Sequence, residues 1–152
     1  MQLEDHDKFI IRAEGGHFLL QILEVFGFPK ETCHWGGYDT KSYVEIVTPN
    51  YAGKGELYIS TGEVFTFYSE LKEAFKTLIG SAKLTSYEGN LNVIVSFDGL
   101  GHAEIEGSFQ IYLHETSQLH FELHTDQTYL QQSINDLEKI IGKYGDNSGI
   151  TR

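Results

Sequence analysis

Residues 91–109, LNVIVSFDGLGHAEIEGSF, contain two runs of alternating apolar and polar residues on either side of a glycine-rich stretch. Alternation with a period of two places one side of a β-strand in a core and the other in solvent. A five-residue loop pairs Phe97 with Ala103 and Val95 with Ile105, so every apolar side chain falls on one face. A shift of one residue would mix the two faces. The stretch therefore predicts a β-hairpin, and its glycines serve the turn.

The same alternation continues into a third strand. We expect a strand over 102–114, a short loop over 115–117, and a pairing of Leu113 with Leu119 that keeps the apolar residues together. The opposite side of this three-stranded plate then carries only polar and aromatic side chains. These outward residues are Glu104, Glu106, Ser108, Gln110, Tyr112, His114, His120, Glu122 and His124.

Most of the net charge lies in the same part of the chain. The formal net charge is −11, from 22 acidic and 11 basic residues. No lysine or arginine occurs between Lys83 and Lys139, whereas nine acidic residues do. Such a field repels nucleic acid and membrane surfaces and attracts a basic partner. Acidity also keeps proteins soluble, and charge by itself does not separate these two roles.

The remaining pattern predicts the element order ββββ-α-ββββ-α. A Gly15-Gly16 turn sets Phe9 against Ile22 in the first hairpin. Ser60 or Thr61 caps a first helix, and the second helix begins after Thr125 or Asp126. Apolar residues recur at helical spacing in both helices. The stripes are Val64, Tyr68, Leu71, Phe75 and Leu78 in the first helix, and Leu130, Ile134, Leu137, Ile141 and Tyr144 in the second.

These elements predict one α+β domain over residues 1–152. We expect a largely antiparallel sheet with both amphipathic helices on one face, the side that carries Val93, Ile105 and Phe121. The ends, residues 1–7 and 146–152, are expected to fray.

The composition and the ends of the chain favour a cytoplasmic protein. A length of 152 residues is enough for one well-buried core. The single cysteine, Cys33, excludes an internal disulfide. The acidic start MQLEDHDK is unlike a secretory signal, and no apolar run approaches the ~20 residues of a membrane helix.

A small-ligand or metal-binding site is the alternative function. On one strand His120, Glu122 and His124 project to the same side, and two imidazoles with a carboxylate suit zinc or iron. The side chains stand about 6–7 Å apart along the strand, so a shared ion requires convergence. A solvent-facing stripe explains the pattern more simply, and we expect no stoichiometric metal or other cofactor. No catalytic constellation is present, so no enzyme is predicted.

The aromatic residues of two loops allow two interpretations. Trp35, Tyr38 and Tyr51 lie near the loops before and after the third strand. Exposed loop aromatics favour interfaces, because they supply large buried area to a partner. They also anchor loops onto a core, and the sequence leaves both roles open.

Residues 55–109, which begin GELYISTGEVFTFYSELKEAFKTLIG, and the later LHFELHTDQTYLQQSINDLEKI resemble the WapI-type immunity proteins. The resemblance covers roughly residues 55–143. It implies a small bacterial cytoplasmic protein without catalytic residues, which binds and blocks a toxin domain, often an RNase. Together with the acidic residues on the outward side of the three-stranded plate, the resemblance predicts a basic toxin domain, a nuclease, as the partner. The predicted partner-binding residues are Glu104, Glu106, Gln110, Tyr112, His120, Glu122 and His124.

Overall fold

The computed structural model describes residues 7–150 and has the α+β order ββββ-α-ββββ-α that the sequence predicts. The elements are β1 (Lys8–Ala13), β2 (Gly16–Val25), β3 (Asp39–Val47), β4 (Ala52–Ser60), α1 (Thr61–Thr77), β5 (Ile79–Thr85), β6 (Leu91–Asp98), β7 (His102–Phe109), β8 (Leu119–Asp126) and α2 (Gln127–Tyr144).

The eight strands form two antiparallel sheets. The first sheet has the order β1-β2-β3-β4 and the second the order β5-β6-β7-β8. Their inner faces pack together: Phe18 of β2 stacks on Phe121 of β8, with ring centroids 6.4 Å apart and planes 7° from parallel. Leu119 covers Gly53 of β4 so closely that a Cβ there would stand 2.7 Å from it. One core therefore lies between the two sheets.

The helices close this core along the sheet edges. α1 lies along β5, α2 lies along β1, and the two helices contact each other. Their buried side chains join the core that contains Val93, Ile105 and Phe121, which is the predicted side of the second sheet. Both helix starts follow the predicted capping pattern. Ser60 and Glu63 form a reciprocal capping box, and Asp126 accepts hydrogen bonds from the first turn of α2.

The buried stripes of the helices differ in part from the predicted stripes. In α1 Phe67 and Ala74 are buried, whereas the predicted Tyr68 and Phe75 are only partly buried, and Leu78 is the C-cap residue that follows the helix. The reason is that α1 packs between β5 and α2, which turns Tyr68 toward the second helix; its hydroxyl lies 2.9 Å from Glu138. In α2 Ile140 is buried and Ile141 is only partly so.

The first hairpin pairs two residues away from the predicted register. Phe9 pairs with Leu20, not with Ile22. The turn is made by Glu14 and Gly15, and Gly15 supplies the positive φ of 75° that the tight turn requires. A shift of two residues leaves every side chain on its predicted face.

The hairpin of residues 91–109 has the predicted register. Phe97 pairs with Ala103, Val95 with Ile105, and the far ends of β6 and β7 pair as expected. Local alternation was therefore a sufficient guide to this part of the fold.

The predicted pairing of β7 with β8 is wrong by four residues. β7 ends at Phe109, which pairs with Leu119; the expected Leu113–Leu119 pair does not form. Beyond Phe109 the Gln110 N–H still donates to the Asn90 carbonyl at 2.9 Å, and Ile111 then packs against Gly55 of β4, where a Cβ would stand 2.8 Å from it. Residues 110–118 consequently form a long connection instead of a strand end with a short loop.

The end of the chain that was expected to fray is partly held by hydrogen bonds. The carbonyl of Asn147 accepts from the Gly37 N–H at 2.6 Å, and the Ile150 N–H donates to the Tyr38 hydroxyl at 3.0 Å. Residues 1–6 and 151–152 lie outside the described part of the chain.

Candidate functional site

The outer face of the second sheet brings together most of the predicted site residues. Because β6, β7 and β8 bury one side of each strand, their alternate residues point away from the core. We call the part of this surface that lies on β6, β7 and β8 the acidic face; on the edge strand β5, Lys83 lies opposite Ile94. The acidic face consists of Asn92, Ile94, Ser96, Glu104, Glu106, Ser108, His120, Glu122 and His124.

Three carboxylates form the centre of the acidic face. Glu106 lies directly opposite Glu122 across the β7–β8 ladder, and Glu104 lies opposite His124. Carboxylate oxygens of Glu104, Glu106 and Glu122 lie within 4.8 Å of one another. Like charges placed directly opposite on a sheet face repel each other. The fold therefore holds negative charge at a place where that charge reduces stability.

The pKa of Glu104 reflects this crowding. Repulsion from Glu122 is the main cause that raises the pKa of Glu104 above its ordinary value, and partial burial and Glu106 add to it. His124 acts in the opposite direction, because its ring favours the ionised carboxylate. Binding of a positively charged group beside the cluster is therefore favourable, because it relieves this repulsion.

Two open depressions shape the acidic face. One, of about 530 Å³, is lined by the β6 residues Asn92 and Ile94 and by Glu106, His120 and Glu122. The other, of about 280 Å³, is lined by Ser96, Asp98, His102, Glu104 and His124. Carboxylates beside partly exposed apolar groups, such as Ile94, suit long cationic side chains, whose stems are apolar and whose ends are charged.

The two histidines of the metal alternative do not join one ligand set with Glu122. His124 Nε2 lies 3.3 Å from Glu122, but His120 Nε2 lies 3.0 Å from the side-chain oxygen of Gln118. Within residues 7–150, the group whose ligand atoms converge is Glu104, Glu106 and Glu122. The expected absence of a stoichiometric metal stays a prediction, and elemental analysis of the purified protein tests it.

Gln110 and Tyr112 lie outside the acidic face, contrary to the sequence prediction. Both belong to the connection between β7 and β8. The Gln110 side chain donates to the Glu115 carbonyl, and Tyr112 packs near the His114 ring while 58% of its surface stays exposed. Their position follows from the early end of β7 at Phe109.

Sequence reasoning missed the contribution of β6 to this surface. Asn92, Ile94 and Ser96 face Ser108, Glu106 and Glu104, and they form one wall of the two depressions. The signal was available, because these three residues are the outward positions of the alternating run LNVIVSF.

The structure buries one of the three loop aromatics and leaves the other two exposed. Tyr38 is fully buried, and its hydroxyl donates to the Pro29 carbonyl at 2.8 Å, so it anchors its loop. Trp35 is half exposed and stacks on Tyr87, with ring centroids 5.2 Å apart and planes 2° from parallel. Tyr51 is 72% exposed.

The carboxylate cluster predicts a pH-dependent change in stability. Folding raises the pKa of the Glu104 carboxyl above its ordinary value of ~4.3, so the folded state binds the proton more tightly than the unfolded state does. This difference stabilises the folded protein below pH ~4.3, and the stabilisation is lost as the pH rises through the raised pKa. Glu122→Gln removes the main cause of the raised pKa of Glu104. We therefore expect this variant to melt at a higher temperature than the wild type at pH 7.5, and the gain to disappear at pH 4.

Thermal unfolding at both pH values measures this effect. Glu88→Gln removes one charge from an exposed turn outside the cluster and serves as the matched control. An equal gain in both variants at pH 7.5 would mean that total charge, and not the cluster, sets the effect.

Comparison with known proteins gives a family match over nearly the whole chain. Residues 9–145 match the model of the immunity protein WapI-like family. Among solved structures, the chain is similar to a chain of the "CdiA-CT/CdiI toxin and immunity complex from Enterobacter cloacae". The two share 13% sequence identity with a TM-score of 0.43, and the match covers 90% of this chain and 99% of that chain. No curated protein sequence matches the chain. Neither helix within residues 7–150 is long and apolar enough to cross a membrane.

Proposed function

Because the chain belongs to the immunity protein WapI-like family, we propose that it binds a basic toxin domain, a nuclease, and neutralises it through the acidic face. The observation that carries this proposal is the cluster of Glu104, Glu106 and Glu122, held within 4.8 Å in a stretch, residues 84–138, that contains no lysine or arginine. Family membership supports an inhibitory role; the acidic face supports the choice of partner.

The electrostatics of the cluster favour a cationic partner. Its carboxylates repel one another in the free protein, as the raised pKa of Glu104 reflects. A lysine or arginine side chain from a partner relieves that repulsion and gains an ion pair in the same step. Complementary charge also steers association, which reaches about 10⁸–10⁹ M⁻¹s⁻¹ at low salt. Fast capture suits a protein that must intercept a toxin before damage accumulates.

The same reasoning supports a nuclease as the toxin. A nuclease domain needs basic side chains to hold the phosphates of its substrate. A rigid sheet face that carries carboxylates can occupy such a groove in place of the nucleic acid. Because the substrates of such a toxin lie in the cytoplasm, an inhibitor acts there, which agrees with the cytoplasmic location favoured by the sequence.

The proposed partner-binding residues are Glu104, Glu106, Glu122, His120 and His124. The carboxylates supply the charge, and the imidazoles supply hydrogen-bond donors or acceptors at the rim of the two depressions. Gln110 and Tyr112, which the sequence also predicts as binding residues, lie outside this face and are not part of the proposed contact.

The proposal is tested with the cognate toxin domain, which is to be sought among the genes that neighbour the gene for this chain. We expect co-production to rescue the growth of cells that express the toxin. With purified proteins, residual toxin activity should fall linearly to zero at one equivalent of this chain, and the association rate should fall steeply with added salt. Loss of toxin activity at far less than one equivalent would indicate an enzyme that inactivates the toxin. Binding that does not respond to salt would exclude the acidic face as the main contact.

A further inference from the structure

Three of the four outer sheet edges are covered by hydrogen bonds from neighbouring elements. On β1, Ile10 donates its N–H to Asp136 of α2 at 3.3 Å and accepts from Ser133 at 2.8 Å. On β5, the Lys83 N–H donates to Glu70 of α1 at 2.9 Å. On β8, the His124 carbonyl accepts from the Glu14 N–H at 2.8 Å. Exposed edges are templates for pairing with another chain, so covering them prevents association.

The fourth edge, on β4, is open. All nine β4 residues pair with β3 without a bulge, and the strand contains no proline. The flanking bond from the Thr61 N–H to the Tyr38 carbonyl fixes which β4 residues face β3. By antiparallel alternation, the backbone groups of Lys54, Glu56 and Tyr58 point away from the sheet. No hydrogen bond between residues of the described range 7–150 reaches these outward backbone groups.

The side chains along this edge are complementary to themselves. When two copies of β4 pair antiparallel about a two-fold axis at Gly55, Lys54 of each copy lies opposite Glu56 of the other. This register also brings the outward N–H and C=O groups of residues 54 and 56 together as hydrogen-bonded pairs. An axis at Glu56 would place two glutamates opposite each other, and an axis at Lys54 would do the same with two lysines. Opposite charges on facing strands therefore select the register centred on Gly55.

Exposed apolar side chains flank the same edge. An open depression of about 440 Å³ beside β4 is lined by Tyr58, Ile111 and Tyr112, which are between 44% and 58% exposed. An added strand would reduce the exposure of these side chains, and removal of apolar surface from water drives association.

From these observations we infer that two copies of this chain associate edge to edge through β4, and that their first sheets join into one eight-stranded antiparallel sheet. The self-complementary charges of Lys54 and Glu56 favour a second copy of this chain as the strand that pairs with this edge. The edge belongs to the first sheet, whereas the acidic face is the outer side of the second sheet, so each copy keeps its acidic face uncovered. The inference stands independently of the proposed function.

Sedimentation equilibrium of the full chain tests this inference at low salt, from micromolar to millimolar concentration. We expect a monomer–dimer equilibrium in the wild type. In the dimer, residue 54 of each copy faces residue 56 of the other. Lys54→Glu and Glu56→Lys each give both of these pairs like charges, and each is expected to raise the dissociation constant about tenfold. The double variant Lys54→Glu/Glu56→Lys restores opposite charges and should return the dissociation constant toward that of the wild type. Lys30→Glu makes the same charge change in an exposed loop and should leave the dimer unchanged.

Thermal unfolding of every variant shows that the fold is retained. A wild type that remains monomeric at millimolar concentration would overturn the inference. A dimer that responds equally to Lys30→Glu and Lys54→Glu, or one that the double variant does not restore, would also overturn it. If the chain is monomeric and Lys54→Glu weakens toxin binding, the edge accepts a strand of the toxin instead, and the inference is wrong.

Discussion

Replacement of Ile105 by alanine is expected to lower the free energy of unfolding by about 2–5 kcal/mol, the range for emptying a buried aliphatic site. Ile105 is fully buried in the middle of β7, between Val95 on β6 and Leu123 on β8. Its side chain faces the first sheet, and the tight packing on both sides leaves few groups that can move into the cavity. Chemical denaturation followed by circular dichroism measures the change.

Ile94→Ala is the matched control for this substitution. Ile94 lies on the neighbouring strand, is 36% exposed and belongs to the opposite face of the same sheet. It should lose much less stability than Ile105→Ala, because little apolar surface is buried there. Equal losses in the two variants would mean that the assignment of inner and outer faces in the second sheet is wrong.

The double reversal Glu104→Lys/Glu106→Lys is expected to abolish protection against the toxin. It replaces two of the three clustered carboxylates with the charge of the basic partner that we propose. The association rate constant should then fall to the ~10⁵–10⁶ M⁻¹s⁻¹ of protein pairs without electrostatic attraction, or lower. Added salt should slow association less than it does in the wild type, or should speed it up. Stopped-flow association and growth of toxin-producing cells measure the two effects.

The fold should survive this reversal. Surface substitutions usually change stability by less than about 0.5 kcal/mol, and here a repulsive contact with Glu122 is removed as well. Glu24→Lys/Glu31→Lys makes an equal charge change at exposed positions outside the acidic face and should still protect. If the folded Glu104→Lys/Glu106→Lys variant binds and protects like the wild type, the acidic face only keeps the protein soluble and does not bind the toxin.

Local signals in the sequence were sufficient for the element order and for one complete hairpin. Ser60 and Asp126 cap the two helices because their side-chain oxygens satisfy backbone N–H groups of the first turn. The hairpin of residues 91–109 has its predicted register. The first hairpin is equally local, but it is offset by two residues, a shift that alternation cannot detect because it leaves every side chain on the same face.

Tertiary packing decided the features that the sequence did not predict. The alternation continues from Phe109 through Leu113, so nothing local marks the end of β7. Past the strand end, Ile111 packs against Gly55, a residue more than fifty positions earlier, and alternation within the strand does not reveal this contact. Likewise, alternation shows that each strand has an apolar side but not which strands share a sheet, so the division into two sheets could not be predicted.

The candidate site was predictable in its charge but not in its geometry. The absence of lysine and arginine from residues 84–138 marks the region, and alternation turns Glu104, Glu106 and Glu122 outward. Their approach to within 4.8 Å depends on the β7–β8 register, which the sequence pattern placed incorrectly. That shift of four residues preserved the face and moved Gln110, Tyr112 and His114 out of it.

The most direct test of the central claim is a map of the surface that the toxin domain covers. Backbone amide chemical shifts of the isotope-labelled chain, recorded during titration with the unlabelled toxin domain, provide this map. The account predicts that the largest changes occur on the outer face of β6, β7 and β8, around Glu104, Glu106 and Glu122. Changes concentrated around Trp35 and Tyr51, with the acidic face unaffected, would contradict it.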